Sequence, residues 1–156
     1  MSYLKRAAVP FLLALAAVAA GASDQFIFDD KADANAQIRA AVTEASKQGK
    51  NVLLDFGANW CFDCHVLENV MRLPDIAPMV EKNYVVVHID VGRFDKNLSL
   101  AKKFHIPIEK GVPALAVLDS EGNLLYAQKQ GEFERARSLR LETFRQFFEK
   151  WAPKKN

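Results

Sequence analysis

Across residues 31–48 the apolar side chains Ile38, Ala41, Val42 and Ala45 recur three and four apart, and Gly49 follows as a stop. That spacing is one face of a helix. The period then changes. NVLLDF, residues 51–56, is a short unbroken apolar run with one acid inside it, and it reads as a buried strand. From Cys61 the helical period returns, with Cys64, Leu67 and Met71 on one face until Pro74 breaks it. A short helical piece over 75–82 leads to YVVVHIDV, residues 84–91, the strongest strand pattern in the chain. Residues 97–104 read as a helix ended before Pro107. PALAVLDS is a further buried strand, Ser120-Glu121-Gly122-Asn123 is a turn, and LLYAQ returns as the other arm of a hairpin. The last helix, 138–151, places Leu141, Phe144, Phe148 and Trp151 on one face.

This order predicts an α/β fold. Strands written as continuous apolar runs belong to a sheet with helices on both faces. The first two strands, joined through a helix, run parallel, and the last two form an antiparallel hairpin. The central sheet is therefore mixed.

The N-terminus changes the picture of where this domain works. Lys5 and Arg6 precede an apolar stretch over 7–20, and Ala20-Gly21-Ala22 is a small-x-small cleavage pattern. The stretch is short of the roughly 20 residues a spanning helix needs. A signal peptide over 1–22 is expected, with one domain over 23–156, a periplasmic or secreted location, and no stable membrane span after cleavage. Lys5 and Arg6 are two of the 21 basic residues, and the remainder balance the 19 acidic ones. No global field selects nucleic acid or an anionic membrane. A monomer is expected.

Cys61 and Cys64 are the only cysteines, and an exported pair this close is a poor staple and better chemistry. Two chemistries share the letters: Cys-x-x-Cys is a redox dithiol, and Cys61-Phe62-Asp63-Cys64-His65 is also the attachment pattern of a c-type haem, with His65 as iron ligand. A zinc site from the pair with His88 and His105 lacks the usual histidine spacing. Position favours the dithiol. Cys61 lies where a strand gives way to a helix, and a helix N-terminus stabilises a thiolate. Cys64, one turn deeper, reaches back to resolve a mixed disulfide. Asp55, inside an apolar strand, is placed to be buried and to move a proton near neutral pH. Trp60 shields the pair and offers a flat surface to a partner. Several buried strands leave no helical wrap for haem. A non-catalytic binding protein on the same fold is a further alternative.

LLDFGANWCFDC, together with GVPALAVLDSEGNLL downstream, resembles the active-site strand, motif and proline segment of the thioredoxin superfamily, and with the leader it is similar to the exported thioredoxin-like group. The resemblance covers about residues 51–126. It implies thiol-disulfide exchange with protein thiols and disulfides, an upstream protein electron donor or acceptor, and no metal or organic cofactor. It also implies a cis peptide before Pro113, facing the cysteines, and a Val112 backbone that pairs with an extended substrate segment. Three features depart from the family. PIEK, residues 107–110, lengthens one connection. The lysine that usually accompanies the buried acid is absent, with Val86 in its apparent place. Phe62-Asp63 replaces Gly-Pro between the cysteines. A negative Asp63 is expected to disfavour the thiolate and make a weaker oxidant, a reductant or relay, while a charged His65 would act the other way.

Overall fold

The computed structural model of the chain describes residues 26–154, so the expected leader lies outside the described residues. Along them run α1 (Ala34–Gln48), β1 (Asn51–Gly57), α2 (Phe62–Met71), α3 (Ala77–Asn83), β2 (Tyr84–Asp90), α4 (Leu98–Lys103), β3 (Ala114–Leu118), β4 (Leu124–Ala127) and α5 (Leu141–Lys150). Asp33 caps α1 by accepting the Ala36 N–H, and Gly49 ends it in the left-handed region, φ 65°.

The strands form one sheet in the order β2-β1-β3-β4. β1 runs parallel to β2 and antiparallel to β3, and β3 and β4 make the predicted hairpin. The sheet is mixed, as the pattern predicts. All of β1 is buried because helices cover both its faces, which is why NVLLDF does not alternate. Alternate residues instead feed two cores. Val52, Leu54 and Phe56 pack with Ile38, Ala41 and Ala45 of α1 and with Leu100 and Ala101 of α4. Leu53 points the other way, into a cluster with Leu67 of α2, Val80 of α3 and Phe144 and Phe148 of α5. Asp55 shares the parity of Leu53 and so faces the α2 side.

The C-terminal helix differs from its prediction. Ala136–Ser138 is a 3₁₀ turn, Arg140 is extended, and α5 starts only at Leu141. Leu141, expected on the inward face, is 39 % exposed; the buried stripe is Phe144, Phe147 and Phe148. Leu141 stands at the first helical position, where the stripe leaves the core. The longer connection at 107–110 closes into a 3₁₀ turn, Ile108–Lys110, that tucks Ile108 into the core.

Candidate active site

Between β1 and α2 the chain turns tightly. The Cys61 N–H donates to the Ala58 carbonyl, and Cys61 is the N-cap of α2. Its Sγ accepts the Cys64 N–H at 3.1 Å, so the sulfur takes one of the donors that a helix start leaves unpaired. Cys61 and Cys64 are joined in a disulfide with Cα atoms 5.3 Å apart. Cys61 Sγ lies 3.4 Å from the Val112 carbonyl oxygen, and the Val112–Pro113 peptide is cis. The two segments, far apart in sequence, thus meet at the outer sulfur. Cys64 is wholly buried, and Cys61 keeps a sliver of exposure.

Gly57 lets this turn sit close. A Cβ there would fall 2.4 Å from the Phe28 ring and 2.9 Å from Cys64 Sγ. Phe28 cannot yield freely, because its N–H and carbonyl are both held by the Asn59 side chain. Gly57→Ala is expected to cost about 1–3 kcal/mol of stability. A urea unfolding midpoint equal to wild type would contradict the close approach.

The sequence reading missed the partner of Asp55. Register pairs Asp55 with His88 and Leu53 with Val86, so His88 occupies the position assigned to Val86. His88 Nδ1 is 3.0 Å from Asp55 Oδ2, and Nε2 is 3.5 Å from Glu68 Oε2. Glu68 in turn pairs with Arg72 on the next turn of α2. A line of groups thus runs from the core outward, from a fully buried Asp55 to a half-exposed Arg72. Burial pushes the Asp55 carboxyl above its usual range, against the opposing His88 hydrogen bond. Burial works to lower His88, but the Asp55 hydrogen bond and charge, with Glu68, hold it above its ordinary value. Asp55 Oδ1 has no hydrogen-bond partner among the described residues. The only signal for His88 was that it shares the strand parity of Val86; the register that brings it to Asp55 is not written locally.

The other candidates are placed as follows. Trp60 is half exposed, donates from Nε1 to the Gly92 carbonyl at 2.7 Å, and meets Phe94 edge-on. Phe62 is 61 % exposed beside the pair. Phe94, which sequence reasoning did not single out, extends the exposed aromatic surface at Trp60. Asp63 does not offer its charge bare. It is buried, and Arg137, from the segment before α5, binds its carboxylate, holding it below the usual carboxylate range. The expectation of an uncompensated negative charge beside Cys61 is therefore revised. His65 Nε2 donates to the Asn59 carbonyl at 2.8 Å and braces the turn. These contacts do not suit a haem: His65, its iron ligand, is turned to the Asn59 carbonyl. Among the described residues no three His, Cys, Asp or Glu side chains gather as a zinc site would need.

A paired dithiol at a helix start, set against a cis-proline on such a sheet, defines a protein that exchanges disulfides on a thioredoxin fold. The chain belongs to the thioredoxin-like family: the family model of that description matches residues 33–120. The solved disulphide isomerase from Xylella fastidiosa Temecula1 is 38 % identical with a TM-score of 0.77, over 82 % of this chain and 98 % of that one. The thiol:disulfide interchange protein DsbD of Colwellia psychrerythraea is 31 % identical over 103 residues, 65 % of this chain. The chain spans only 16 % of that relative's length. The C-terminal domain of DsbD from Neisseria meningitidis, in its reduced form, shares the fold at 23 % identity and a TM-score of 0.55, covering 80 % of this chain and 99 % of that domain. The protein is a thioredoxin-like thiol-disulfide oxidoreductase carrying the Cys61–Cys64 pair.

Proposed function

We propose that the protein is exported and exchanges disulfides with other proteins as a reductant or electron relay. Cys61 attacks, Cys64 resolves, and Asp55 takes up and returns the resolving thiol's proton. The asymmetry of the pair carries this assignment. Cys61 Sγ sits on the helix start against Val112 and Pro113, whereas Cys64 is sealed beneath it. The Val112 N–H has no acceptor among the described residues, which suits strand-like pairing with an extended client segment. Trp60 and Phe62 flank that path as apolar contacts.

The direction rests on charge. Asp55 and Glu68 share one imidazole on the α2 side of the sheet. With Arg72 paired to Glu68 the line sets two acids against two bases, so it offers no net positive charge to stabilise a thiolate, and a less stable thiolate makes a weaker oxidant. Reducing equivalents would come from another protein, as the name of DsbD, a thiol:disulfide interchange protein, suggests for that relative. In glutathione buffers the pair is expected to equilibrate nearer the about −270 mV of thioredoxins than the about −120 mV of DsbA. A value above about −150 mV would overturn the reductant reading. In cells, Cys64→Ala is expected to accumulate mixed disulfides that Cys61→Ala/Cys64→Ala does not. Capture through Cys64 in a Cys61→Ala variant instead would reverse the two roles.

A further inference from the structure

The two residues between the cysteines are both gripped by one side chain from a distant segment. Asp63 Oδ1 accepts the backbone N–H of Arg137 at 2.8 Å and its Nε at 3.1 Å. Asp63 Oδ2 accepts the same Nε at 3.1 Å and a terminal guanidinium nitrogen at 2.6 Å. The guanidinium carbon also lies 4.8 Å from the centre of the Phe62 ring, the geometry of a cation–π contact. The segment that delivers Arg137 is anchored just ahead of it. Phe133 packs against Phe144 and Phe147, and Ala136 is buried in the same cluster.

Asp63 stands in the first turn of α2, where an acid suits the helix dipole and strengthens the helix. The same charge competes with the Cys61 thiolate for that dipole. A buried carboxylate needs a partner, and here the partner supplies an equal and opposite charge through a fork of donors.

We propose that Arg137 is a positioning residue that sets the redox poise of Cys61–Cys64 by cancelling the charge of Asp63, while it also holds the Phe62 ring. Reduction by two glutathione thiols converts the disulfide to the dithiol and releases glutathione disulfide. Cys61 then divides between thiol and thiolate, losing its proton to solvent. Arg137 acts on that division, in the reduced protein only. The inference rests on the dithiol chemistry proposed above but not on its direction.

The test uses the full chain, reduced, with the Cys61 thiol titrated by thiolate ultraviolet absorbance. A unit charge uncovered roughly one helical turn from a surface thiol changes its ionisation by about three- to tenfold. Arg137→Gln is therefore expected to lower the thiolate fraction at neutral pH by that factor. In alkaline buffer, where the thiolate predominates, it should lower the equilibrium constant for reduction by glutathione by the same factor, about 30 mV for a tenfold change. Adding Asp63→Asn to Arg137→Gln should return both quantities to within about twofold of wild type, since the uncovered charge is gone. Arg137→Lys, which keeps the charge and loses the fork, should fall between wild type and Arg137→Gln. If Arg137→Gln folds poorly, the lysine variant and the double variant carry the same comparison. An unchanged titration in Arg137→Gln, or a double variant that stays as shifted as the single one, would reduce Arg137 to a structural strut. A wild-type protein that did not exchange with glutathione at all would instead sink the proposed function.

Discussion

Asp55→Asn is expected to slow thiol-disulfide exchange by about a hundredfold at pH 7 while leaving the fold intact. Asparagine keeps the shape and can still accept from His88 Nδ1, now 3.0 Å from Asp55 Oδ2. What it loses is the ability to hold a proton. The stability result should run the other way. Burial raises the Asp55 pKa, so the folded protein binds that proton more tightly than the unfolded chain. The group's contribution to stability is fully present below the unfolded carboxylate range and is lost as pH rises through the raised folded value. His88, Glu68 and Arg72 are the charged groups facing it. At alkaline pH the asparagine variant is therefore expected to be at least as stable as wild type. Stopped-flow exchange with a model disulfide, set beside urea unfolding at two pH values, reads both effects. A wild-type exchange rate in the variant would remove Asp55 from the mechanism.

Phe148→Ala should have the largest effect on stability, about 3–5 kcal/mol, with a fall in Tm of roughly 10 °C or more. The Phe148 side chain is fully buried. Its ring meets Tyr84 and Phe147 edge-on, and its backbone carbonyl accepts the Tyr84 hydroxyl at 2.7 Å. The residue thus joins α5 to β2 by ring and by backbone, and truncation opens a cavity where neither neighbour can follow. Calorimetry checks the shift; a loss under about 1 kcal/mol would mean that the cluster collapses around the gap.

What the sequence carried was what repeats locally or lies within one turn of the chain. The apolar runs of β1, β2 and β3, the hairpin, and Cys61 at a helix start are each dictated by neighbours a few residues away. The contacts that shape the site are of another kind. His88 reaches Asp55 only through the register of two parallel strands, and Arg137 reaches Asp63 across 74 residues. Neither distance nor charge in the sequence marks those pairs, because the packing of whole elements creates them. α5 starts later than its pattern predicts for a related reason: the segment before it follows α2 rather than its own helical period.

The two-way clasp between Phe28 and Asn59 has a practical side. Phe26 lines the same hollow as Phe28 and Asn59, so the chain enters the described domain beside its reactive end. It leaves at the other: the Asn51 side chain, at the start of β1, donates to the Trp151 carbonyl. The seven residues of β1 separate these points by about 20 Å. A tether, dye or affinity handle joined ahead of Phe26 would crowd incoming clients, whereas one joined after Lys154 would leave the sulfurs free to dock.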